Sequence, residues 1–135
     1  EEIRRHISIS TAFHHLNWKR TKIYLIDTPG DDNFLAETRM ALRVSDNVLF
    51  VIDAVDPVKP QMQKIWSMVK ELGLPIIMSV NKTDKERADF QKAIEAVEKA
   101  LGLRLVPVSL PIGVHEGFRG IVDLVQMKAF EFSSD

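Results

Sequence analysis

Several common features are missing from this sequence of 135 residues, and each absence narrows the kind of protein it encodes. There is no cysteine, which excludes disulfides and thiolate metal ligands and fits a reducing compartment. No apolar run approaches the length of a membrane span, and no signal-peptide pattern opens the chain. The formal net charge is only -1, so bulk electrostatics give no reason to expect DNA binding. We therefore expect neither a membrane nor DNA as a direct partner.

What remains is the composition of an ordinary globular domain. Hydrophobic residues make up 45% of the chain and charged residues 27%, and the length suffices for one domain with a core. The chain opens on Glu1 rather than a methionine and ends on an uncapped Ser134-Asp135. We therefore expect it to be a piece of a larger protein.

Apolar runs and amphipathic stretches alternate along the first 112 residues. Strands are predicted at 7–13, 22–27, 48–52, 75–80 and 105–110, and helices after Asp32, after Pro60 and from about Glu86. The first two strands form a hairpin, the run 23–26 predicts a buried strand, and the run 48–52 predicts one covered by helices on both faces. This alternation predicts an α/β fold with a mainly parallel sheet flanked by helices. Residues 113–135 change character and suggest a small attached β unit, so we divide the chain into 1–112 and 113–135.

The first chemical motif is Asp27-Thr28-Pro29-Gly30, which follows the predicted strand at 22–27. Open α/β sheets bind ligands at the carboxyl ends of their strands, where the Asp27 carboxylate can hold Mg²⁺ directly or through water. The Gly30 amide can approach a phosphate closely because glycine has no Cβ. The alternative is a strand-ending aspartate followed by an ordinary Pro-Gly turn.

The second motif, Asn81-Lys82-x-Asp84, follows the strand at 75–80. The Asp84 carboxylate can accept two parallel N–H bonds from guanine, and adenine lacks that donor pair. The Lys82 stem can lie over the base, and Asn81 can tie the loop to neighbouring backbone. Asparagine, lysine and aspartate are also common in loops, so this motif alone is weak. Because both motifs end strands of one predicted parallel sheet, we expect them on the same edge, forming a guanine nucleotide site.

With these motifs, the chain resembles the GTP-binding domain of a translational GTPase, nearest to elongation factor G, over essentially its whole length. Further resemblance lies in Arg5-His6-Ile7-Ser8-Ile9, which is similar to the end of switch I, and in Val58-Lys59-Pro60-Gln61, which matches the family's V-x-P-Q turn. The stretch from Leu105 to Ala129 resembles entry into the inserted subdomain typical of this factor.

The resemblance implies a P-loop-NTPase-type fold with the start of an inserted subdomain at residue 113. It also implies GTP or GDP and Mg²⁺ as cofactors, the ribosome as partner, the cytoplasm as location, and GTP hydrolysis by the full-length protein. The implied nucleotide contacts are Asp27, Thr28, Pro29, Gly30, Asn81, Lys82 and Asp84. Ser8 and Asp27, the latter through water, are the implied metal-binding residues.

The family's GxxxxGK[ST] loop, which cradles the phosphates, is absent from the chain. In the family this loop precedes the position of Glu1. We therefore expect the isolated 135-residue chain to bind GTP weakly or not at all, and to be inactive.

Two positions depart from the family in chemically important ways. Ser8 replaces the threonine that ligates Mg²⁺, but a hydroxyl is kept. Asp31 stands at the position of the catalytic histidine, and an ionised carboxylate cannot donate a hydrogen bond to the attacking water. The parent is thus either a GTPase serving translocation or a related step, or a GTP-binding switch with weak hydrolysis. Asp31 can also simply cap the following helix. An unrelated α/β hydrolase or ATP-binding domain is the third reading.

Overall fold

The computed structural model describes residues 8–132, so Arg5, His6 and Ile7 of the predicted switch I segment lie outside the described residues. The described chain forms two compact units, one containing 8–48 and 60–76 and the other 49–59 and 77–132. No helix in this described part is long and apolar enough to cross a membrane. The strands are β1 (Ala12–Trp18), β2 (Thr21–Asp27), β3 (Val48–Asp53), β4 (Ile76–Asn81), β5 (Ser109–Ile112), β6 (Gly120–Asp123) and β7 (Lys128–Glu131), and the α-helices are α1 (Leu35–Leu42), α2 (Pro60–Leu72) and α3 (Phe90–Leu101).

The first unit opens with the predicted hairpin, in which β1 and β2 pair antiparallel and Ala12 lies opposite Asp27. The first strand begins later than predicted because the chain reverses only at 19–20, where Lys19 takes a φ of 53°. The prediction of a buried strand at 23–26 is wrong: Tyr24 is 69% and Leu25 45% exposed. Their side chains point to opposite faces of the ribbon, and both faces stay open to solvent in the described part of the chain.

The helices of the first unit follow the apolar spacing of the sequence. A short 3-10 turn at Asp32–Phe34 leads into α1, which buries Thr38, Ala41 and Leu42. Met62 and Val69 are the buried residues of α2, seven positions apart on one helical face. These two helices pack against each other and supply the core of this unit.

The second unit contains most of the parallel pair β3–β4. The Val48 amide donates to the Pro75 carbonyl (3.0 Å) and the Ala54 amide to the Asn81 carbonyl (2.9 Å), so the strands run in the same direction. Phe50 and Ile52 are buried, 9% and 2% exposed. Leu49 is 59% and Val51 63% exposed, so the predicted covering of both faces is wrong for this structure. Side chains alternate along the strand, and only one face is covered by described residues.

Helix α3 is capped by hydrogen bonds at both of its ends. Asp89 accepts a hydrogen bond from the Lys92 amide (3.0 Å), and Gly102, at a φ of 64°, donates to the Glu98 carbonyl (2.9 Å). The helix starts at Phe90 rather than at the predicted Glu86, because the preceding residues form turns. Its buried face consists of Ala93, Ile94, Val97 and Leu101.

The C-terminal part of the second unit is an antiparallel three-stranded sheet in the order β5-β6-β7. The predicted parallel strand at 105–110 is wrong: the strand covers Ser109–Ile112 and pairs with β6. Pro107, inside the predicted strand, has no N–H to give to a neighbour. The predicted domain boundary at 112/113 falls in the connection between β5 and β6, and the division into 1–112 and 113–135 stays a prediction.

Candidate nucleotide-binding site

The Asp27–Gly30 motif lies in the first unit and begins at the last residue of β2. Asp27 is exposed, whereas Pro29 is buried and anchors the turn. A Cβ built on Gly30 would meet no described atom within 4 Å, and the Gly30 backbone lies outside the left-handed region. Thr28, between Asp27 and Pro29 in the chain, is half-buried. The turn therefore presents open space at the glycine, where a ligand can approach the backbone.

Helix α2 holds this turn from one side. The Gln61 side-chain amide donates to the Gly30 carbonyl (2.6 Å). One helical turn later, the Lys64 ammonium lies 2.6 Å from the Asp32 carboxylate. Both sides of that ion pair are about half exposed, so it contributes at most about 1 kcal/mol of stability. Gln61 is the last residue of the V-x-P-Q segment, and its bond fixes the orientation of the peptide that follows Gly30.

Asp31, at the predicted catalytic position, is engaged with its own neighbours. Its Oδ1 accepts from the Asn33 amide (2.9 Å) and from the Asn33 side-chain nitrogen (2.7 Å). The carboxylate thus caps the 3-10 turn at Asp32–Phe34, which is the alternative role weighed for it from the sequence. Both bonds join Asp31 Oδ1 to a residue only two positions further along the chain.

The Asn81–Asp84 loop lies in the second unit, at the end of β4. The Asn81 side-chain oxygen accepts from the Lys82 amide (2.8 Å), and Lys82 takes a left-handed φ of 60°. Asp84 is exposed, with its carboxylate 3.7 Å from the Lys85 ammonium. The His115 Nδ1 lies 2.8 Å from the Lys85 carbonyl oxygen, which fastens the loop's far side. The loop is therefore folded by its own backbone, and the Asp84 carboxylate points to solvent.

Asp53, at the end of β3, joins this loop although the sequence did not single it out as a site residue. Its Oδ2 lies 2.7 Å from the Lys82 ammonium, and its Oδ1 accepts from the amides of Val55 (2.8 Å) and Asp56 (3.4 Å). The Lys82 bond and these amide bonds lower the pKa of Asp53 to about 2, and the same ion pair raises the pKa of Lys82. The available signal was that Asp53 ends a parallel strand, as Asp27 ends β2.

β2 and β4 belong to separate hydrogen-bonded pairs in the described residues, β1–β2 and β3–β4. Each motif is thus described within its own unit, and their placement on one sheet edge stays a prediction.

The donor set predicted for Mg²⁺ is chemically suitable. Ser8 precedes β1, whose first residue Ala12 lies opposite Asp27, and both Ser8 and Asp27 are exposed. No group of three or more histidine, aspartate or glutamate side chains in the described chain could enclose a metal. Magnesium does not need such a cage, since it keeps waters and binds through one or two oxygen ligands plus phosphates. A hydroxyl and a carboxylate fit that requirement.

Comparison with known proteins shows the family to which the chain belongs. Residues 1–134 match the model of the elongation factor Tu GTP binding domain. The chain therefore belongs to this family of translational GTP-binding domains. It is 41% identical over 128 residues to an elongation factor G-like protein of Thermotoga maritima, and 38% identical over 132 residues to elongation factor G of Mycoplasma pneumoniae.

These alignments cover 95% and 98% of the chain but 19% of each relative, so the chain spans about a fifth of the length of the curated relatives it matches. A crystal structure of a protein from Thermus thermophilus superposes with a TM-score of 0.88 at 26% identity, over 98% of this chain and 20% of that one. The predicted resemblance to an elongation-factor-G-like GTP-binding domain is confirmed, and so is the α/β fold class of the P-loop NTPase type.

Proposed function

We propose that the full-length protein carrying this chain is a GTP-binding, GTP-hydrolysing factor of the elongation factor G type that acts on the ribosome in the cytoplasm. The observation that carries the proposal is the Asn81–Asp84 loop. Its backbone is held by internal bonds, while the Asp84 carboxylate stays exposed and has only the distant Lys85 ammonium beside it in the described part of the chain. A carboxylate displayed in this way suits the paired N–H donors of guanine.

In this proposal each loop residue has one task. Asp84 accepts the two N–H bonds of guanine, Asn81 keeps the loop closed through the Lys82 amide, and the Lys82 methylene stem covers the base. Adenine is rejected because it would leave the Asp84 carboxylate without its donors.

The Asp27–Gly30 turn would serve the phosphate end. Ser8 and Asp27, the latter through water, would hold Mg²⁺, which neutralises phosphate charge when bound. Gly30 offers its backbone N–H to the γ-phosphate, with Thr28 and Pro29 shaping the turn. When that contact is lost, the segment from Asp31 onward is released, which is the switch expected of such a turn.

The second candidate is a GTP-binding switch with weak hydrolysis, and the Asp31 cap favours it. A carboxylate that accepts bonds from Asn33 cannot donate one to an attacking water. Ribosome-stimulated GTP turnover by the wild-type protein, measured beside Asp31→His, separates the two candidates. Faster turnover by the variant supports the switch, and equal turnover supports the GTPase.

The proposed guanine site is tested by Asp84→Asn in the full-length protein. The new amide can donate to the 2-oxo group of xanthine, so we expect preference to shift from guanine to xanthine nucleotides. Binding of GDP and xanthosine diphosphate by equilibrium titration measures this. An unchanged preference would contradict the proposed site.

A further inference from the structure

The Lys82 side chain is held at its tip as well as at its backbone. The ammonium lies 2.7 Å from Asp53 Oδ2, and the backbone is fixed at both ends, since its amide donates to Asn81 and its carbonyl accepts from Lys85. A lysine side chain has several rotatable bonds, and an exposed one normally samples many rotamers. Here the position of both ends leaves the methylene stem little freedom.

Asp53 is itself fixed before it meets the lysine. Its other oxygen accepts from the amides of Val55 and Asp56, which orients the carboxylate. The next residue, Ala54, is bonded on both sides: its amide donates to the Asn81 carbonyl, and its carbonyl accepts from the Asp89 amide. The end of β3 is therefore hydrogen-bonded both to Asn81, where the loop carrying Lys82 begins, and to the capping residue of α3.

The ion pair is too exposed to serve chiefly as a source of stability. The Lys82 side chain is 55% exposed and that of Asp53 23%. Exposed pairs contribute little to folding because solvent screens them and side-chain entropy opposes them. What the pair does determine is the direction of a side chain that, in the proposed function, must lie over a base.

Resting on that proposed function, we propose that Asp53 is a positioning residue for guanine nucleotide binding. It holds the Lys82 ammonium so that the methylene stem is in place before the base arrives. In this proposal the Lys82 stem contacts the flat face of the guanine base. Because GDP and GTP carry the same base, Asp53 should raise the affinity for both nucleotides equally.

The test is a double-mutant cycle on the full-length protein, with GDP affinity measured by equilibrium titration. Asp53→Asn keeps the oxygen that accepts from Val55 but removes the charge that holds Lys82. We expect affinity to fall about 2- to 12-fold, the factor for immobilising one long side chain on binding. In a Lys82→Met background, where no ammonium remains to be held, Asp53→Asn should change nothing further.

Asp123→Asn is the matched control. Asp123 accepts from the amides of Val125 (2.8 Å) and Gln126 (2.9 Å) in the same kind of turn, at the end of β6 rather than in the loop at 81–84. This substitution should leave GDP affinity unchanged.

The outcomes are distinct. A loss from Asp53→Asn that is equal in both backgrounds assigns Asp53 a merely structural role and overturns the inference, as does no loss at all. Either result, combined with a xanthine shift in Asp84→Asn, leaves the proposed function standing. Failure of the wild-type protein to bind guanine nucleotides overturns both.

Discussion

Replacing Gly30 by alanine should have opposite effects on folding stability and on ligand binding. Gly30 is outside the left-handed region, and a Cβ there would meet no described atom within 4 Å. Alanine should therefore fit, and by restricting the unfolded chain it should stabilise the protein by about 0.4–1 kcal/mol. A ligand phosphate against the Gly30 amide would instead collide with the new methyl group.

The expected cost to ligand binding follows from one lost contact. A hydrogen bond to a charged group is worth about 1.5–3 kcal/mol, which corresponds to roughly 10- to 150-fold in affinity. Because only the γ-phosphate is proposed to reach Gly30, a non-hydrolysable GTP analogue should bind Gly30→Ala more weakly by this factor, while GDP binding stays unchanged. Equilibrium titration of the full-length protein with both nucleotides, beside urea unfolding, measures the two effects.

Gly120→Ala is the contrasting control. A Cβ at Gly120 would lie 2.1 Å from the Phe130 carbonyl oxygen and 2.9 Å from the Glu131 Cα, so β6 and β7 must move apart. We expect this substitution to lower the free energy of unfolding by about 1–3 kcal/mol or more. If Gly30→Ala were destabilised to a similar degree, or weakened GDP as much as the GTP analogue, the glycine would be a requirement of the fold and the reasoning would be wrong.

Three further substitutions have clear expectations. The Thr38 hydroxyl is buried without a hydrogen-bond partner in the described structure, so Thr38→Val should raise the free energy of unfolding by about 1 kcal/mol in urea titrations. The glutamate of Gln61→Glu cannot donate to the Gly30 carbonyl, so the variant's backbone amides over residues 30–34 should exchange hydrogen faster. Its free energy of unfolding should fall by about 1 kcal/mol or less, and unaltered exchange would contradict this expectation. The pKa of Asp53 is lowered to about 2, so its stabilising contribution is complete above about pH 4 and is lost as the pH falls towards 2. Acid unfolding of Asp53→Asn should therefore depend less on pH across that window than wild-type unfolding does.

The helices could be predicted from the sequence because their determinants are local. Val97 and Leu101 lie on one helical face, and α3 ends at Gly102, whose left-handed backbone suits glycine. The capping role of Asp31 is likewise predictable, since capping involves only residues close in sequence.

The partners of the strands could not be read in the same way. An apolar run such as the one around Tyr24 predicts a strand but not what covers it, and in this structure it stays exposed. The apolar run beginning at Leu105 predicts a strand of the parallel sheet, yet its later residues pair antiparallel with β6. The Asp53–Lys82 pair could not be predicted either, because the two residues are far apart in sequence and meet only through the alignment of β3 with β4.

The capping of α3 has a consequence for the order of folding. Asp89 bonds to Lys92, and the Glu98 carbonyl accepts from Gly102 while its side chain accepts from the Leu105 amide. Each of these contacts closes a loop of only a few residues, at small entropic cost, whereas pairing β3 with β4 must bring together segments separated by all of α2. We expect α3 to form first during folding. The loop at residues 81–84, for which we propose guanine selection, would then gain its downstream contacts early and its upstream contacts last. We therefore expect strand pairing, rather than helix formation, to limit the rate at which this loop takes its folded form.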